Sequence, residues 1–154
     1  MEYLIAKWLH VLSSTVLFGT GIGSAFYLLC ACLSRDVGLV RGVTRLVVRA
    51  DWLFTATTAV FQPLSGIWLL HLAGFDPMAP WLLHSYLLYA LAIACWLPVV
   101  VLQYRLRDLA AQAHAEGAAL PPRFWRYFRW WVGLGFPALL AFLAIFWLML
   151  AKPG

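Results

Sequence analysis

Charge is what this chain has least of. Only 11% of its 154 residues are charged, against 64% hydrophobic, whereas soluble domains run nearer a quarter charged and half apolar. That scarcity excludes an ordinary water-soluble globule. Cysteine is sparse as well. Cys30, Cys32 and Cys95 all fall inside apolar stretches, so none is placed to close a loop disulfide. Cys30 and Cys32 lie about 200° apart on a helix and would not chelate one ion together; they read as small apolar residues. No CxxCH motif occurs, and three Met with no Met-rich or His-rich loop make a poor catcher for copper. The first apolar stretch lacks the short core and small-residue cleavage pattern of a signal peptide, so it is expected to be retained.

What is there is apolar length. Four runs, 8–34, 52–75, 77–104 and 130–151, contain no Asp, Glu, Lys or Arg, and about 18 such residues already suffice for a membrane-crossing helix. The expected fold is all-α: a four-helix transmembrane bundle with helices near 4–33, 52–73, 81–103 and 123–151, in a single domain over 1–154. The expected joining segments are 34–51 and 104–122. The stretches between the charge-free runs, 35–51 and 105–129, carry nine of the eleven basic residues: Arg35, Arg41, Arg45 and Arg49 in the first, Arg105, Arg107, Arg123, Arg126 and Arg129 in the second. Basic loops stay on the cytoplasmic side, so both termini are expected outside, in the periplasm. The formal charge of +5 then serves an anionic leaflet and does not indicate nucleic acid. Lipid is the expected partner.

Within the segments, Arg41, Arg45 and Arg49 recur every four residues and predict an amphipathic interfacial helix. Trp8, Trp68, Trp81 and Trp147 fall toward the outer surface and Trp52, Trp125, Trp130 and Trp131 toward the inner one, as paired aromatic belts would. Gly19 and Gly23 form a GxxxG pair that lets helix backbones approach, in a homo-oligomer or a larger complex. No strand precedes these glycines, which excludes a nucleotide-binding fingerprint. Thr58, Gln62 and Ser65 share one face of helix 2, beside Pro63, and Ser85, Tyr89, Trp96 and Gln103 share one face of helix 3. A buried Gln needs a hydrogen-bond partner, so the helix 2 face should point into the bundle.

Three of the four histidines, His10, His71 and His84, fall in the outer half of the membrane, roughly 5, 8 and 12 Å from the nearest outer charged residue. A polar side chain at such depth tends to face a cavity, and imidazoles from facing helices suit haem iron, copper or zinc. A hydrolytic zinc site would want a carboxylate base, and only Asp76 is near. The favoured expectation is haem b, with His10 and His71 as axial ligands, His84 as substitute, and Trp8, Trp68 and Trp81 lining the pocket. Hydrogen-bonded interfacial imidazoles are the structural alternative.

Phe61 to Trp68, Trp96 to Gln103 and Ile145 to Pro153 together resemble a family of small bacterial integral membrane proteins known only as a domain of unknown function. That resemblance covers essentially the whole chain and implies a four-helix fold in the bacterial inner membrane. More distantly, Trp8-Leu-His10 before a glycine-rich helix, Trp81-Leu-Leu-His84 and Lys152-Pro153 resemble the HemJ-type protoporphyrinogen oxidases and the CopD-type membrane proteins. HemJ-type proteins carry an Arg and a His late in helix 1 and a Lys early in helix 3; this chain has Ala25 to Cys32 and Ser85 there. What the resemblance implies is therefore a haem site on His10 more than the oxidase chemistry. The resulting expectation is a haem-b redox protein exchanging electrons with the quinone pool or a membrane redox partner. A non-catalytic accessory or assembly subunit is the alternative, with porphyrinogen oxidation and copper handling behind it.

Overall fold

The computed structural model describes residues 1–153, and among these no strand occurs. The elements are α1 (Glu2–Ser34), α2 (Val37–Ala50), a π-helical segment (Asp51–Ala56), α3 (Thr57–Ala73), α4 (Pro80–Ala115) and α5 (Pro122–Ala151). Four helical units are long and apolar enough to cross a membrane: Glu2–Ser34, Val37–Ala73, Pro80–Ala115 and Pro122–Ala151. This is the all-α, four-span architecture expected from the apolar runs.

The difference lies in the joining segments. Residues 34–51 were expected to form an interfacial helix separate from helix 2. Instead α2 runs through the π-helical segment into α3 as one 37-residue unit. The amphipathic reading of α2 holds, since Val40, Thr44, Val47 and Val48 are buried while Arg45 and Arg49 are exposed. The corner before α2 is tight. Arg35 takes the left-handed conformation at φ 57°, which strains a non-glycine residue by roughly 1–2 kcal/mol. Asp36 then caps α2 by accepting from the Leu39 N–H at 3.1 Å, satisfying one of the orphan donors of the first turn. At the other corner α4 extends twelve residues past Gln103, to Ala115, and Pro122 restarts the chain as the first residue of α5.

Packing is uneven along the bundle axis. The buried core, including Leu28, Cys32, Val40, Leu106, Phe124 and Phe128, gathers at the arginine-rich end, where α1, α2, α4 and α5 meet. Farther along, the bundle divides into pairs. α1 packs on α3 and α4 on α5, while the backbones of α1 and α5, and of α3 and α4, stay apart. Phe18 and Phe146 bridge the first gap edge to face at 5.0 Å, and the Tyr89 hydroxyl donates across the second to the Ala59 carbonyl. The glycines explain part of the gap: a Cβ added at Gly19, Gly21, Gly23, Gly133 or Gly135 would meet nothing within 4 Å. At the terminal end, the Lys152 ammonium lies 4.4 Å from the Phe75 ring centroid and 5.7 Å from that of Trp81. This contact ties the end of α5 to the α3–α4 turn.

The expected aromatic belts are only partly surface features. Trp8, Trp52, Trp68, Trp130 and Trp147 are exposed, as a belt requires, but Trp81 and Trp131 are buried. An indole is large and apolar, and interhelical packing takes it wherever a neighbouring helix offers a slot.

Candidate functional site

The structure places two polar clusters inside the bundle, and the three histidines do not form one of them together. His10, half-buried on α1, meets α3: its Nδ1 lies 2.7 Å from the Ser65 hydroxyl. Gln62 stands one turn away on α3, next to the same ring. Its amide satisfies its neighbours only with the nitrogen toward His10, 3.1 Å from Nδ1 and 3.3 Å from the carbonyl oxygen, and the oxygen accepting from the Ser14 N–H at 3.2 Å. So oriented, Gln62 donates to Nδ1, and the ring proton resides on Nε2. The opposite tautomer has Nδ1–H donating to Ser65, whose own hydroxyl donates to the Phe61 carbonyl at 2.8 Å. Only the second leaves Nε2 with a free lone pair for a metal.

His71 lies six residues beyond Ser65 on α3, about 9 Å farther along the axis and on another face, and its side chain is exposed. His84 is also exposed and points its Nδ1 at the Pro80 carbonyl of its own helix, 2.6 Å away. Of the expected pocket tryptophans, Trp8 and Trp68 lie on the surface and Trp81 packs inside against Phe75. Among the described residues, no group of three or more His, Cys, Asp or Glu side chains is arranged to hold a metal ion. As a cradle for haem these surroundings fit poorly: neither large cavity of the bundle is lined by a histidine.

The second cluster was not anticipated. Asp51 opens the π-helical segment and is only 5% exposed, as is Gln103 on α4. Thr55, one turn on, donates to Asp51 Oδ1 at 3.0 Å. Gln103 and Trp96 approach the same carboxyl group from α4, yet neither Asp51 Oδ2 nor Trp96 Nε1 finds a hydrogen-bond partner of ordinary geometry. Trp131 Nε1 on α5 is unpartnered as well. A buried polar atom without a partner forfeits roughly 1–3 kcal/mol, and native structures hold few of them. Local π-helix, which inserts a residue and re-aims the side chains after it, recurs at functional sites.

Around this cluster the two gaps between helix pairs open into cavities. One, of about 760 Å³, lies between the α2–α3 unit and α4, with Trp52, Pro63 and Tyr104 in its wall. The other, of about 420 Å³, lies between α1 and α5, with Gly21, Phe136 and Trp131 in its wall. Asp51, Ala59, Ile93, Trp96 and Gln103 border both. The polar cluster is thus the partition between two apolar chambers.

The sequence did contain a signal for this site. Trp96 and Gln103, seven residues apart, share one helical face, and both are at least half-buried. Asp51 carries no such signal, because it stands at the junction of a basic segment and an apolar run, where a carboxylate reads as a loop residue.

A bundle of apolar spans with a buried polar partition defines a multi-pass helical membrane protein. The chain belongs to the DUF2269 family, described as predicted integral membrane proteins, whose profile matches residues 4–153. No curated protein and no solved structure matches the chain, so the likenesses to HemJ-type and CopD-type proteins rest on short motifs alone.

Proposed function

We propose that this protein is a membrane-embedded binding protein whose central partition, Asp51 with Thr55, Trp96 and Gln103, holds a lipid-soluble molecule entering from the bilayer. One observation carries this reading: a nine-tenths-buried carboxyl group with an unsatisfied oxygen, at the start of the second apolar run, borders two apolar cavities. A buried ionisable side chain is costly, and in a bundle of membrane spans it usually serves a substrate, ion or ligand path. A mostly apolar cavity with a few convergent polar groups is the usual form of a small-molecule site. The test is photo-labelling of the detergent-solubilised protein with a neutral lipid bearing a diazirine in its tail. Saturable labels should map to residues on both sides of the α1–α5 gap, such as Ala25 and Phe136, and be lost in Gly135→Leu. Labels spread evenly over the outer surfaces of all four spans would contradict the reading.

A second reading keeps haem b on His10 and a redox role with it. The cross-helix contact of His10 with Ser65 favours it, because metal-ligating histidines are held by a hydrogen bond on their other ring nitrogen. His10 alone would hold the iron, by Nε2 in the tautomer that donates to Ser65, which requires the Gln62 nitrogen to turn away from Nδ1, and the haem would supply one-electron chemistry. A reduced-minus-oxidised absorption spectrum decides it. A b-type band lost in His10→Ala supports haem, whereas no band from protein made with ample haem removes it.

A further inference from the structure

The chemistry of the partition narrows the ligand, and this step rests on the binding function proposed above. The geometry points to a quinol-type ligand in the α1–α5 cavity: a flat, neutral ring carrying a hydroxyl group, with an apolar tail leaving between Gly21 and Gly135.

Three features select it. The first is hydrogen-bonding complementarity. The atoms of this wall without partners are one acceptor, Asp51 Oδ2, and two donors, the indole N–H groups of Trp96 and Trp131. A phenolic hydroxyl offers both functions on one atom. It donates to the carboxyl oxygen while its own oxygen accepts from an indole, so the acceptor and one of the two donors each gain a bond of ordinary geometry. The second is charge. Among the described residues no Lys, Arg or His lines either cavity, so a phosphate headgroup would face Asp51 without a counter-ion. Buried charges need pairing, and this excludes anionic phospholipid from the partition even though the bundle's arginine-rich end attracts it. The third is shape. Phe18, Trp96, Trp131 and Phe142 line the chamber, and aromatic walls favour a planar ring by stacking and edge contacts. At about 420 Å³ the chamber is of the usual size for a small-molecule site. The opening toward lipid carries glycine on both helices, and an added Cβ at Gly21 or Gly135 would touch nothing within 4 Å. The claim is binding, with no electron transfer assigned to the chain.

The experiment is an anaerobic titration of the purified full-length protein in detergent, followed by thermal stability. The ligands are a decyl-tailed benzoquinol, the corresponding benzoquinone, decanol and phosphatidylglycerol. Wild type should show saturable stabilisation by the quinol, weaker stabilisation by the quinone, and none that saturates from the other two. Asp51→Asn keeps an oxygen for Thr55 but replaces the acceptor with a donor. It should weaken the quinol about tenfold and change the quinone little. Should Asp51→Asn fail to fold, Gly135→Leu fills the chamber from the opposite wall and should abolish both responses. Decanol binding as well as the quinol would overturn the ring assignment while leaving the lipid-soluble ligand reading in place. Competition by phosphatidylglycerol, or a quinol affinity indifferent to both variants, would also overturn the assignment. Failure of any neutral lipid to bind would overturn both.

Discussion

The arginine-rich end of the bundle and the stretch beyond it are built from the same kinds of residue to opposite effect. At the arginine-rich end, Leu28, Val40, Leu106 and Phe124 are buried to 1% or less and four helices share one core. Beyond it, Gly21, Gly135 and Ala59 face gaps, and the bundle divides into two pairs of helices with chambers between them. Apolar residues in a membrane gain little by leaving lipid for a neighbouring helix, so the second region has no strong drive to close. Membrane composition alone therefore does not tell a packed region from an open one; the residues without a Cβ and the buried polar groups do.

Substitutions should separate the two regions, and the largest effect is expected in the packed one. Phe124→Ala should lower stability by about 3 kcal/mol or more, read as a fall in melting temperature in detergent, while Leu140→Ala on the lipid-facing surface should change it by less than about 0.5 kcal/mol. Equal effects would mean that the packed core does not anchor the fold. Next comes a substitution that should cost function but little stability. Asp51→Leu removes a buried carboxyl group with an unmet oxygen, and the desolvation cost recovered offsets the bond lost from Thr55, so stability should change by no more than about 1 kcal/mol. It should melt close to wild type yet lose its response to added neutral lipid. A marked fall in melting temperature would assign Asp51 a structural role.

The four spans, the inward face of α3, the shared polar face of α4 and the amphipathic α2 were all legible in the sequence, because each is a pattern of side chains along one helix. Relations between helices were not. His10, His71 and His84 share a level when depth is counted from the ends, but rotation about each axis is set by packing, and packing gave His10 to Ser65 and left the other two outside. The π-helical segment has no sequence signature of its own, so the continuity of α2 with α3, and with it the burial of Asp51, could not be read from periodicity. Trp81 and Trp131 fell in the wrong class for a related reason, since an indole near a span end serves a belt or a core equally well.

Smaller effects refine the contrast between the two polar clusters. Ser65→Ala should cost about 1 kcal/mol through the lost contact with His10, with no change in lipid response if the clusters act independently. Lys152→Ala removes the ammonium from the Phe75 and Trp81 rings and should cost about 0.5–1 kcal/mol, seen as earlier fraying of the end of α5 in hydrogen exchange. Gly66→Ala should be close to neutral, because the added Cβ would sit 3.6 Å from His10 Cε1, an ordinary contact distance.

The most direct test of the central claim, that the Asp51 partition and not the histidine trio is the binding centre, is native mass spectrometry of wild type, Asp51→Asn and His10→Ala released from detergent. The account predicts a bound neutral lipid carrying a hydroxyl group on wild type and His10→Ala, at an occupancy markedly lower on Asp51→Asn. Retention by Asp51→Asn together with loss from His10→Ala would contradict it and move the functional centre to the opposite end of the bundle.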